Sequence, residues 1–156
     1  MKTNINKNLP LLAPICLLFF SLLIMTGSCD SKEPKSHPLK VVKADVPEQF
    51  RRLKNSFILT NREIVYFQKQ FSAQCARCHG ELGDGGGDDD ALEKYPPANL
   101  TDQKFLDSRT DGELFYQILV GGEELSAMPP FGPDSDIGWS EDKIWKMVAF
   151  VRSLAK

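Results

Sequence analysis

The chain has 156 residues, 42% of them hydrophobic and 26% charged, with a formal net charge of −2. That length accommodates one small domain with appendages and excludes two full ones, because domains take on the order of 100 residues each. The near-neutral balance excludes the basic patch on which nucleic-acid binders depend, and 10% aromatic residues exclude a wholly disordered chain.

Residues 1–28 read as an export signal. Lys2 and Lys7 precede an apolar run from Leu9 to Met25, with no acidic residue before Asp30. Pro10 and Pro14 cut its helical part below the roughly 20 residues that a spanning helix needs. The run closes in Thr26-Gly-Ser-Cys29, which resembles the lipobox of bacterial lipoproteins, although Thr26 stands where that motif usually has Leu. The resemblance implies acylation of Cys29 and a lipid anchor on the periplasmic side of a bacterial membrane. A retained anchor and an ordinary cleaved signal are the alternatives, and all three export the rest of the chain.

Residues 29–60 are expected to form a flexible, lipid-attached tether. Between Asp30 and Thr60, seven basic and four acidic side chains sum to +3, and Pro34, Pro38 and Pro47 interrupt any periodicity. A flexible chain of this length spans about 30 Å. A short docked piece is expected around Phe50–Leu59.

Residues 61–156 are the domain, with a net charge of −7. Three helix starts are legible. Thr60-Asn-Arg-Glu63 has the form of a capping box and leads into Ile64, Phe67 and Phe71 at helical spacing. Thr110-Asp-Gly-Glu113 opens a second helix, carrying Leu114, Phe115, Ile118 and Leu119 and closed by Gly121-Gly122. Ser140-Glu-Asp opens a third, with Ile144, Met147, Val148, Val151 and Leu154 on one stripe. No strand pattern stands out, so the domain reads as all-α with long loops. So few short helices make a thin core, and something other than side chains is expected at its centre.

Cys75-Ala-Arg-Cys78-His79 supplies it. C-x-x-C-H is the attachment signal of c-type haem: two thiols three apart add across adjacent vinyl groups, and the next residue brings an imidazole to the iron. Zinc would need four ligands, and Cys16 and Cys29 belong to the leader. A thioredoxin-like dithiol would need a βαβ setting. Cys75 and Cys78 are therefore expected to hold one covalent haem, with His79 on the iron. For the sixth position the remaining candidates are His37, Met128 and Met147. His37 lies in the tether, and Met147 sits mid-stripe, where a methionine fills core. Met128 lies in a loop and is followed by Pro129-Pro130, whose fixed φ and missing N–H groups suit a rigid ligand loop. It is the expected second axial ligand.

Gly83-Asp-Gly-Gly-Gly-Asp-Asp-Asp90 invites comparison with a calcium loop, but its turn glycine is misplaced and Tyr95 stands where a bidentate Glu belongs. A solvated flexible loop is expected instead of a calcium site.

Residues 60–156 resemble a monohaem class I cytochrome c of the bacterial type. The likeness rests on Cys75-x-x-Cys78-His79-Gly80, Tyr95-Pro-Pro-Ala-Asn-Leu-Thr-Asp102, Asp111-Gly-Glu-Leu-Phe-Tyr-Gln-Ile118, Met128-Pro-Pro-Phe131 and the last helix from Ile144 to Leu154. It implies the cytochrome c fold, three to five helices wrapped around one covalently attached haem, with the first and last helices crossing beside it. Phe71 and Phe150 match the aromatic positions at that crossing. Phe67 departs from the pattern, standing where the family keeps a small residue, which implies a wider crossing or a displaced helix start. The resemblance also implies a proline carbonyl that accepts a hydrogen bond from the ligand histidine, Pro97 matching best and Pro96 being the other choice.

With both axial positions filled, the implied function is outer-sphere electron transfer rather than catalysis. The chain would be a membrane-tethered shuttle to or from a respiratory or periplasmic oxidoreductase. A permanently bound haem subunit of a terminal oxidase or dehydrogenase is the alternative, and a haem-based gas sensor or peroxidase the third. The acidic domain is expected to meet redox partners with a basic docking surface.

Overall fold

Helix formation begins where short-range caps make it favourable. In the computed structural model, which describes residues 45–89, 95–122 and 126–155, α2 spans Asn61–Gln74. Thr60 Oγ1 accepts from Glu63 N (3.3 Å), while Glu63 Oε2 accepts from Thr60 N (2.9 Å), so two of the free donors at the helix start are satisfied. The same reciprocal pair, Thr110 with Glu113, opens α5 (Asp111–Val120), and Ser140 opens α6 (Glu141–Arg152) by accepting from Lys143 N. Three shorter helices join these: α1 (Glu48–Arg51), α3 (Ala76–His79) and α4 (Gln103–Asp107), the last capped by Asp102. Six helices thus stand among the described residues, against the three to five expected. The additions are four or five residues long, too short to carry a hydrophobic period.

The chain divides into two units, Met1–Ser31 and Lys32–Lys156, and every described residue belongs to the second. The expected leader, with Cys29, and the tether histidine His37 lie outside the described residues. No helix among the described residues is long and apolar enough to cross a membrane.

The core draws from every long helix. Phe67 and Phe71 of α2, Phe115 of α5 and Ile144, Met147, Val148 and Phe150 of α6 are all at most 4% exposed. Burying each such side chain contributes roughly 1.5–3 kcal/mol. Phe71 meets Phe150 at 5.7 Å between ring centroids, and Phe115 stacks on Trp145 at 4.1 Å. Phe67, the bulky departure from the family pattern, is 2% exposed in α2 and part of the core. Polar ties reinforce the pairing of α2 with α6: Lys146 Nζ donates to Glu63 (2.8 Å) and Lys143 Nζ to Gln70 (2.8 Å). At the other end of α6, Arg152 donates to Asp111 Oδ1 and to the carbonyls of Leu106 and Arg109, locking the α4–α5 turn.

The segment 45–60 corrects the expected tether boundary. It packs on α5 and α6 as part of the domain, in keeping with the docked piece around Phe50–Leu59 and extending it back to Val46, which is 3% exposed. Phe50 packs on Tyr116 (4.8 Å) and Phe115 (6.2 Å). Asn55 ties the segment down: its N donates to Asp111 Oδ2 (3.1 Å) and its Nδ2 to the carbonyl of Trp145 (2.7 Å), while its Oδ1 accepts from Phe57 N (3.0 Å). Gly112 makes the approach feasible, because a Cβ there would stand 1.7 Å from Phe50 O.

Candidate haem-attachment site

The attachment motif straddles the end of α2. Cys75 closes that helix, its N donating to Phe71 O, and Ala76–His79 continue as the single turn α3. Positions three apart on a helical turn share a face, so Cys75 and Cys78 lie together there. Both thiols are free and half-buried. Burial pushes the Cys75 thiol up to about 12, with the neighbouring Cys78 adding to the rise. A redox dithiol needs the opposite shift, toward an accessible thiolate. A thioether, like the protonated thiol, carries no charge, so this buried position suits it.

His79 directs its Nδ1 at the carbonyl of Ala98, 3.2 Å away. A carbonyl only accepts, so Nδ1 carries the proton and Nε2 keeps its lone pair for a metal. Burial lowers the imidazole's pKa, the Ala98 bond opposing in part, so the ring is held neutral, as a ligand must be. The acceptor expected here was Pro97. Its neighbour takes the role because Leu100 N is fixed to Gly83 O (2.7 Å), and successive carbonyls of an extended chain alternate in direction. The Pro97 carbonyl faces Gly85 instead, 3.3 Å from where a Cβ would stand.

The glycine-rich loop is also corrected. Its described part, Gly83–Asp89, is not merely solvated: Gly85 N donates to His79 O, and Asp88 N and Asp89 N both donate to Arg77 O. Arg77 Nε pairs with Asp89 Oδ2 at 2.7 Å. The carbonyls left unpaired at the end of so short a helix need donors, and a chain of small residues can lie close enough to supply them.

Met128 is half-buried on the loop after α5. Gly122 N donates to Met128 O (2.9 Å), and Met128 N to Ser126 Oγ (3.2 Å). Pro129 and Pro130 have no N–H to leave unsatisfied. The next two donors, Phe131 N and Gly132 N, reach the terminal carbonyls of α5 at Ile118 (3.0 Å) and Leu119 (2.9 Å). Phe131, 3% exposed and 5.0 Å from the ring of Trp139, anchors the loop in the core. Met128, Cys75 and Ala98 all pack at the margin of the same core cluster, whereas Met147, 1% exposed in α6, is part of its interior. Ala98 and the Arg77–Asp89 pair were not foreseen from the sequence; the Arg-to-Asp charge pairing around a glycine run was the one available signal.

Two thiols on one turn, an adjacent neutral imidazole with one nitrogen free, and a loop thioether have the donor chemistry of a covalently attached haem. An all-helical fold built around such a set defines a monohaem c-type cytochrome. The family model described as cytochrome c oxidase, cbb3-type, subunit III matches residues 66–151, more than half of the sequence, and the chain belongs to that family. Membership implies covalently bound haem c and a role as an electron-transfer haem protein. Among solved structures, KustC0563 c-type cytochrome is similar at 24% identity over 57% of this chain and 96% of that one, with a TM-score of 0.45. No curated relative matches.

Proposed function

We propose that this cytochrome is a membrane-tethered electron shuttle whose haem is held by Cys75 and Cys78 and ligated axially by His79 and Met128. The observation that carries the ligand assignment is the hydrogen bond from His79 Nδ1 to Ala98 O, which orients the ring and leaves Nε2 for the iron. When bound, the haem supplies one-electron exchange between Fe(III) and Fe(II). The protein's part is to keep both ligands in place through that exchange. His79 is held through its backbone and its ring, and Met128 through the bond its carbonyl accepts from Gly122 N and through Phe131 and Gly132, which are pinned to the end of α5. A methionine ligand favours the reduced iron, raising the potential above that of a bis-histidine site.

Export and anchoring are supported by the basic start, apolar run and Cys29 of the leader. The net charge of −7 over residues 61–156 supports partners with a basic docking surface and association that weakens with salt. A second reading, a haem subunit that stays with a terminal oxidase, is favoured by the family's own description. Purification from native membranes separates the two: a shuttle comes away alone, a subunit with its enzyme. For the ligand assignment, Met128→Ala is expected to abolish the weak absorption band at the red end that reports iron–sulfur ligation; survival of the band refutes Met128.

A further inference from the structure

A helix of four residues cannot satisfy its own terminal carbonyls, and in α3 those carbonyls flank the attachment site. Ala76 O accepts from Gly80 N (2.8 Å), His79 O from Gly85 N (2.8 Å) and Gly80 O from Gly83 N (3.0 Å). Arg77 O accepts twice, from Asp88 N (3.0 Å) and Asp89 N (3.2 Å). The segment 80–89 thereby lies back across the turn that bears the ligand. It is also fixed to the other half of the site: Gly83 O accepts from Leu100 N (2.7 Å), two residues from the Ala98 carbonyl that faces His79. One stretch of chain therefore ties the main chain of His79 to the acceptor of its side chain.

Two features hold that strap down. The Arg77–Asp89 pair closes its far end at 2.7 Å, with the Asp89 side chain only 17% exposed. Gly87 seats it: a Cβ there would fall 2.2 Å from Arg77 O and 2.4 Å from Cys78 O, both backbone atoms of the attachment turn. Its neighbour Gly86 is different, since a Cβ there meets only the Asp84 carboxylate, at 3.1 Å, the end of a flexible side chain.

We infer that the segment 80–89 is a positioning element for His79, with Gly87 as its seat and the Arg77–Asp89 pair as its clamp. The inference rests on the reading of His79 as an iron ligand. Lifting the strap frees the Ala98 segment, lengthens the bond to Nδ1 and makes the imidazole a weaker donor. The ferric state depends more on donor strength than the ferrous, so the potential rises.

The test uses the full-length, haem-loaded protein, with Gly87→Ala and Gly86→Ala compared by equilibrium redox titration and by amide hydrogen exchange. Gly87→Ala is expected to raise the midpoint potential and to speed exchange at Gly85, Asp88, Asp89 and Leu100, while Gly86→Ala matches the parent in both. Equal responses from the two glycines, or no response from Gly87→Ala, overturn the inference. If Gly87→Ala does not mature, Asp89→Asn against Asp88→Asn decides: each removes one negative charge, and the former alone is expected to speed exchange and to raise the potential further. Equal shifts from that pair overturn the inference as well. The underlying ligand reading is checked apart, by the loss of the low-spin spectrum in His79→Ala; a spectrum that survives that change fails the ligand reading rather than the strap.

Discussion

Replacing a helical glycine by alanine ordinarily stabilises a protein, by up to about 1 kcal/mol. Gly112, in the first turn of α5, is expected to reverse that sign. An alanine Cβ would stand 1.7 Å from Phe50 O and 2.7 Å from Phe50 C, so α1 must retreat by at least about 1.7 Å to reach the 3.4 Å of ordinary contact. A retreat of that size stretches Asn55 N to Asp111 Oδ2 from 3.1 Å, and Asn55 Nδ2 to Trp145 O from 2.7 Å, beyond hydrogen-bonding range. Each lost bond costs about 1 kcal/mol. Separating Phe50 from Tyr116 and Phe115 costs about 1 kcal/mol more. Against the gain in helix propensity, the net is a destabilisation of about 2 kcal/mol, or a fall in Tm of roughly 8–16 °C for a domain of this size. Thermal unfolding of the haem-loaded chain, followed by far-ultraviolet circular dichroism, measures it. Asn55→Ala sharpens the test: once the arm has lifted, the second substitution has little left to remove, so the double variant is expected to fall well short of additivity. A Tm equal to or above the parent's in Gly112→Ala, or strict additivity with Asn55→Ala, refutes the docking argument.

Glu63 gives a prediction in pH. The Lys146 ammonium above all, then the Thr60 N–H and hydroxyl, hold its carboxyl down at about 2, against an ordinary value of 4.5. The stability tied to this depressed pKa is complete above pH 4.5 and lost as pH falls toward 2, so Glu63→Gln should flatten the acid-unfolding profile in that window and salt should shrink the difference; parallel profiles count against it. Phe131→Ala removes the buried anchor of the Met128 loop and is expected to cost about 3–5 kcal/mol in urea unfolding. The same change should weaken the red-end band, and a full-strength band would mean the loop is held elsewhere. Cys29→Ala is expected to release the protein from membranes into the soluble fraction, and persistence there would point to a retained anchor.

What the sequence made legible and what it hid divide by the range of the interactions. The caps at Thr60, Thr110 and Ser140 act over three residues, so their signals lie side by side in the chain, and the helices begin where those residues put them. The attachment motif is equally local, because covalent chemistry fixes the spacing of Cys75, Cys78 and His79. Nothing in Glu48-Gln-Phe-Arg51 marks a helix; what holds it is Gly112 and Phe115, some sixty residues away. The exchange of Pro97 for Ala98 shows the same limit at finer grain. A proline in roughly the right place is visible in sequence, but adjacent carbonyls point opposite ways, and one tertiary bond, from Leu100 N to Gly83 O, decides which of them meets the imidazole. The glycine run followed the same rule: Gly83–Asp89 has the composition of a solvated loop, and only the carbonyls of a four-residue helix folded against it turn that backbone into part of the site. The attachment motif could be read residue by residue, whereas the groups around it depend on which backbone atoms the fold brings opposite one another.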